Sequence, residues 1–278
     1  MRSFFLAAVM FGMATGAQAA DMPDFLRGTL PAGPAPTVNW QGFYVGGQAG
    51  YGSSDENFNG STSNMIAALV ANNIIQQTGV ANWNLNLGKE SSRSSGFGGF
   101  TGYNWQWDDV VVGLEASYLH GTFGGSATAS QSLVSSAALS DGFFHAVTAT
   151  SQAAISISDM ATFRGRAGYA YGSFLPYVFG GLALGNADIT RTATVQDNYA
   201  STFAVAVSSC ANTPPFCVTS SSTQAQHGHL IYGYSGGLGV DVNLIGGLFL
   251  RAEWEYIRFT AAVDTNINTV RAGLGYKF

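Results

Sequence analysis

The chain has 278 residues, a formal net charge of −5 and only 10% charged residues, with 36 glycines and 13% aromatics. Ordinary soluble domains carry about 25% charged residues, yet no window holds the roughly 18 consecutive apolar residues of a membrane-crossing helix. The acidic balance argues against nucleic-acid binding.

The N-terminus reads as an export signal over residues 1–19. Arg2 precedes an apolar stretch at 4–13, and Ala17-Gln-Ala19 supplies a cleavage site that makes Ala20 the mature start. Residues 20–39 form a linker, because Pro23, Pro31, Pro34 and Pro36 break helix and strand alike. The rest, 40–278, alternates with period two, as strands do. In the first predicted strand, 40–51, Phe43, Val45, Gly47, Ala49 and Tyr51 share one face and Tyr44 lies on the other. Further strands are predicted at 95–106, 110–121, 161–172, 177–187, 230–242, 248–259 and 266–278. The phase of the fifth is ambiguous at Gly180-Gly181. In the last strand Val270, Ala272, Leu274, Tyr276 and Phe278 form one apolar face, against Thr269, Arg271, Gly273, Gly275 and Lys277.

Strands of about ten residues, apolar on one face and polar or small on the other, are the unit of a transmembrane antiparallel up-and-down β-barrel. Turns predicted at 107–109, 173–176 and 243–247 are short, whereas the connections after strands one, three and five approach forty residues. That asymmetry predicts short periplasmic turns and long extracellular loops. Eight strands are expected, or ten if a loop contributes another pair. Within the first long loop, Met65, Ile66, Leu69, Val70 and Ile74 can line a short helix. It would either touch a partner or membrane or fold over the barrel mouth, and the pattern favours the mouth.

The runs WQGFYVGG at 40–47, GYNWQ at 102–106, VGLEA at 112–116, RGRAGY at 164–169 and PYVFGG at 176–181 stand in order ahead of the terminal aromatic. Together they resemble the porin-like outer-membrane proteins of alphaproteobacteria, of the outer-membrane immunogenic protein type. The resemblance spans 40–278. It implies location in the cell outer membrane of a Gram-negative bacterium, contact with outer-membrane lipid and lipopolysaccharide, and insertion by the barrel assembly machinery. Tyr276 and Phe278 would carry the insertion signal. It further implies a structural, non-enzymatic role, with extracellular ligands met through the loops.

The strand phases turn Glu115, Arg164, Arg166, Asp241, Arg251, Glu253, Glu255 and Arg271 inward, four acids against four bases. A charge on the lipid face at mid-membrane costs roughly 2–4 kcal/mol for Arg or Lys. The inward set makes either a paired polar plug or the constriction of a narrow diffusion pore. Eight strands, just wide enough for side chains to fill, favour the plug. Outward girdles are expected from Phe43, Tyr51, Tyr103, Trp105, Tyr118, Tyr169, Tyr171, Tyr234, Trp254, Tyr256, Tyr276 and Phe278. Cys210 and Cys217 suit one local disulfide in an exported chain.

The histidines are His120, His145, His227 and His229. His227-Gly-His229 is expected at the outer edge just before strand six. It is either merely solvated or a haem or metal site; the family resembled includes proteins associated with haemin. His120 with Thr122 could serve a lipid-acting enzyme, but no third orienting group is visible. No cofactor is otherwise expected.

Overall fold

The computed structural model describes residues 38–83, 85–208, 216–260 and 263–278. The predicted export signal, and the linker as far as residue 37, lie outside the described residues. Eight strands close a barrel in chain order: β1 Gly42–Asn57, β2 Lys89–Trp107, β3 Val110–Val134, β4 Phe144–Tyr169, β5 Phe174–Ala200, β6 Phe216–Ile245, β7 Leu248–Phe259 and β8 Asp264–Lys277. All neighbours are antiparallel, and β1 pairs with β8 to close the ring, Val45 opposite Tyr276. No strand pair beyond eight appears among the described residues.

One end carries three tight turns. Asp108, Gly172 and Gly246 each open a two-residue turn with positive φ, 50°, 56° and 57°. Two-residue hairpins need that left-handed conformation to match strand twist, and glycine adopts it without steric cost. The second turn is therefore centred at 172–173, not at the predicted 173–176. Pro176 lies inside β5, near its start and opposite Val240 of β6, in a stretch where a missing N–H is tolerated.

The outward aromatics all face away from the lumen, from Phe43 to Tyr51 on β1 and from Tyr276 to Val270 on β8. They bound an apolar band about nine residues tall, as a tilted membrane strand requires. Phe97, Trp107, Phe163 and Tyr232 join it. The phase of β5 is continuous, because Tyr177, Phe179 and Ala183 are buried while Val178 and Leu182 are exposed.

Above the band the predicted forty-residue loops are a correction. Most of that chain is strand. β3 and β4 pair from Phe123–Ile157 up to Val134–Ala146, and β5 pairs with β4 and β6 over the same height. The lateral strands stop lower: β2 leaves β3 at Gly96–Gly121 and β7 leaves β6 at Phe259–Gly233. A four-stranded sheet, β3–β4–β5–β6, thus continues past the barrel rim. Its departure is marked by register shifts between His120 and Phe123, Ile157 and Asp159, and Ala187 and Ile189, with Gly228 of β6 at φ 61°. Bulges bend a strand and add twist, so a row of them at one height redirects the sheet.

The first long loop fills the concave face of this sheet. Helix α1, Ser63–Leu69, and two 3₁₀ turns, Ile74–Thr78 and Val80–Asn82, bury Met65, Ile66, Val70, Ile75 and Val80 against Val147, Ala149, Ala193 and Val195. The mouth-covering reading of 63–77 is the one the fold adopts. At seven residues with no side-chain cap, α1 is held by that packing, since so short a helix is not stable alone. Thr62 donates to Ser151 at 2.9 Å and Arg191 to the Ser61 carbonyl at 3.0 Å. A second short helix, α2, Phe203–Ala206, follows β5.

Candidate functional site

The lumen within the membrane band is the largest concentration of chemistry in the protein. All eight predicted inward charges are buried, at 4% exposure or less. Period two delivers each of them. Glu115 rises from β3, Arg164 and Arg166 from β4, Asp241 from β6, Arg251, Glu253 and Glu255 from β7, and Arg271 from β8.

They form one connected network. Glu115 is the hub. It accepts from Arg164 Nε at 2.9 Å, Arg251 Nη1 at 2.8 Å, Arg166 Nη1 at 3.3 Å and the Tyr44 hydroxyl at 2.7 Å. Arg164 reaches across the lumen to Glu253 at 2.7 Å and Glu255 at 3.3 Å. Asp241 takes Arg166 at 2.6 Å and Arg251 at 2.9 Å. Arg271 pairs with Glu255. Tyr177 donates to Glu253 at 2.6 Å.

Each central guanidinium also lies on a ring: Arg164 on Phe179 at 4.0 Å, Arg166 on Tyr177 at 3.8 Å and Arg251 on Phe100 at 3.8 Å. Stacking of this kind strengthens when desolvated. Inward glycines make the room. A Cβ at Gly239 would fall 2.6 Å from the Tyr177 ring. Charge alternation was legible in the sequence. Two of the rings beneath the arginines, Tyr177 and Phe179, were not, because the phase of strand five was left open at Gly180-Gly181.

The network is closed above and below by apolar layers. Toward the tight turns, Trp40, Phe100, Val111, Leu175 and Phe249 pack together. Trp40, placed in the first strand by the sequence, instead precedes β1 and buries its ring against Phe249, centroids 6.1 Å apart. Toward the extended sheet, Leu119, Phe123, Ile157, Met160, Ile257, Phe259 and Ile267 form a second layer. The loop core around Ile66 lies beyond it.

The other predicted sites are dispersed. His120 does have an orienting carboxylate, a correction to the sequence reading. Its Nδ1 is 2.8 Å from Asp159, which also accepts from Tyr118 at 2.5 Å and Ser158 at 2.6 Å. The His120 hydrogen bond foremost holds the Asp159 carboxyl well below the usual carboxylate range. The sequence could not pair them because 39 residues and a bulge separate them. Thr122 does not join this group; its carbonyl accepts from Ser94 of β2. His227 and His229 lie within β6, not before it, flanking the Gly228 bulge. His227 is 3.5 Å from Asp188 and largely exposed. Among the described residues no group of three or more His, Cys, Asp or Glu side chains is placed to hold a metal. Cys217 sits near the start of β6, while Cys210 lies outside the described residues. Tyr276 and Phe278 pack on each other at 5.2 Å, with Phe43 at 6.1 Å from Phe278.

A family model described as "Outer membrane protein beta-barrel domain" matches residues 4–278. A search of the curated proteins finds no match. Among solved structures, the chain is similar to Ail, the attachment invasion locus protein of Yersinia pestis. Identity is 14%, coverage is 86% of this chain and 99% of that one, and the TM-score is 0.31. It is similar to Neisserial surface protein A at 13% identity, with 85% and 97% coverage and a TM-score of 0.34. The N-terminal β-barrel domain of Pseudomonas aeruginosa OprF matches at 14% identity, with 83% and 99% coverage and a TM-score of 0.27.

Proposed function

Because the chain belongs to the outer-membrane protein β-barrel family, we propose that it is a closed structural barrel that supports the envelope of a Gram-negative cell and presents an ordered surface outside it. The observation that carries this is the lumen. Its charges are spent on one another, and apolar layers cover the network on both sides. A working pore needs a continuous wet path with binding weak enough for ions to leave. Here guanidinium groups are locked between carboxylates and rings. The tall sheet and its packed loop supply the presented surface. The outer-membrane immunogenic type of the family is part of the same proposal, as are contact with lipopolysaccharide, insertion by the assembly machinery and the Cys210–Cys217 bridge. No cofactor enters it; His227 and His229 flank the Gly228 bulge, and among the described residues no further ligand joins them to fix a haem or metal.

Planar-bilayer recording tests the closed lumen. Purified, monodisperse protein is expected to show no steady open conductance. Long-lived conductance from wild-type protein would instead make it a narrow diffusion channel. Deleting the gene is expected to raise sensitivity to detergents, and unchanged sensitivity counts against the envelope role.

A further inference from the structure

The extracellular part of the molecule holds a second charged cluster that the barrel does not need. His145, near the start of β4, is buried to 1% exposure. Both of its ring nitrogens face carboxylates. Nδ1 lies 2.9 and 3.0 Å from the two oxygens of Asp197 on β5. Nε2 lies 3.0 Å from Asp141, in the connection between β3 and β4. The ring stacks on Tyr199, centroids 5.4 Å apart and planes 18° apart. The titratable groups that face it are therefore Asp141 from the hairpin tip and Asp197 and Tyr199 from β5. From β4's other neighbour, Ser135 offers only its hydroxyl, which accepts from the His145 amide at 2.9 Å.

A neutral imidazole can donate from one nitrogen only; both donate in the imidazolium. Two ionised carboxylates at hydrogen-bond distance are satisfied together only by the doubly protonated ring. After loss of one proton, the nitrogen left bare would face an acceptor. The two sides are not equal. The Asp197 side chain is 10% exposed and contacts Nδ1 through both oxygens, whereas that of Asp141 is 33% exposed and lies on a connecting segment. Nδ1 keeps its proton toward Asp197, and Asp141 turns to solvent.

What Asp141 holds is the tip of the β3–β4 hairpin. Beside it, Ser140 accepts from Gln77 Nε2 at 2.7 Å and donates its amide to Gln77 Oε1 at 3.3 Å. Gln77 belongs to the loop that fills the sheet. A cleft of about 470 Å³ separates the two segments, lined by Gln77, Thr78 and residues 133–140. The cluster thus joins the tip to β5, and Ser140 beside it joins the tip to the mouth-filling loop.

We propose that His145 is a proton-operated latch: its imidazolium fastens the β3–β4 tip to β5, and deprotonation frees the tip from the mouth-filling loop. The protein then presents an ordered outer surface while the imidazolium is formed and a looser one once the ring has lost that proton.

The test is ¹⁵N NMR of the full chain in detergent micelles at an acid and an alkaline pH, chosen by the ring ¹⁵N shifts so that both His145 ring nitrogens carry a proton at the lower and one at the higher. At the lower pH both His145 ring nitrogens are expected to be protonated. Backbone order parameters over 136–142 should then lie near the ~0.85 of rigid chain, and fall below ~0.6 at the higher pH. In Asp141→Asn, whose exposed site leaves the barrel intact, the order parameters should no longer change with pH. Three results would overturn the latch: a tip equally ordered at both pH values in the wild type, an ordered tip over a singly protonated ring, or an undiminished pH response in Asp141→Asn.

Discussion

Arg164 shows what a single side chain does in this lumen. It meets Glu115, Glu253 and Glu255 and covers Phe179, so its removal leaves three carboxylates short of a partner in a space sealed by apolar layers. Breaking a dry buried network by removing one member costs about 3–5 kcal/mol. Arg164→Ala is expected to lower the temperature at which the purified barrel loses its heat-modifiable band. An unchanged temperature would mean that water already reaches the network. Glu56 is the opposite case. It is buried above the membrane band at 1% exposure, both carboxylate oxygens lack a hydrogen-bond partner, and Glu90 stands directly opposite on β2. Burial, with Glu90 nearby, raises its carboxyl above the ordinary value. A raised folded value means that its contribution is present below the unfolded value and lost as pH rises through the folded one. Glu56→Gln should therefore raise the unfolding temperature at about pH 8 and lose that advantage as pH falls toward 4. A variant less stable than wild type at alkaline pH would contradict this.

At the scale of elements, β3, β4, β5 and β6 each serve two environments. Below the bulges their outward faces are apolar, and their inward faces carry the lumen charges on β3, β4 and β6 and the rings of Tyr177 and Phe179 on β5. Above them the buried face of β4 runs His145, Val147, Ala149, Ser151, Ala153 and Ile155. The alternation persists there with little hydrophobic contrast, because Ala, Ser and Thr occupy both faces. That is why the strands predicted from the sequence end at the rim. The split gives an orientation test. Ser130 is exposed on the extended part of β3, while Asp108 occupies a tight turn at the other end. A single cysteine at Ser130→Cys should react with an impermeant label on intact cells, and one at Asp108→Cys should stay protected. The reverse pattern would invert the barrel.

For the whole molecule, closure depends on β1 meeting β8. The Phe278 amide donates to the Phe43 carbonyl at 2.9 Å, and the two rings pack at the seam. Phe278→Ala removes that outward ring where the barrel closes. It is expected to lower the share of folded, heat-modifiable protein in outer-membrane fractions; an unchanged share would remove both the seam role and the proposed insertion signal. The helices contribute little to closure. They are short, and among the described residues no helix is long and apolar enough to cross a membrane. The strands make the crossing, and the first loop and the tall sheet complete the outer half.

The amino-acid sequence alone located eight membrane strands, leaving open a further pair within a loop, and determined the tight-turn end, the lipid-facing aromatics and the eight inward charges. Each of these follows from period two, which is local and survives any tertiary arrangement. β7 was legible because charged and apolar residues alternate in it without a break from Leu250 to Tyr256. Four things were decided only by tertiary structure. Arg166 meets Asp241, and Arg164 meets Glu253, across 75 and 89 residues of chain, distances that no periodicity spans. Asp159 reaches His120 only because a bulge re-aims its strand. The loop helix is stable only against Val147 and Val195. His145 lies between two aspartates because the tip of one hairpin folds back over the strand that begins beside it, and that contact exists only once three strands are paired.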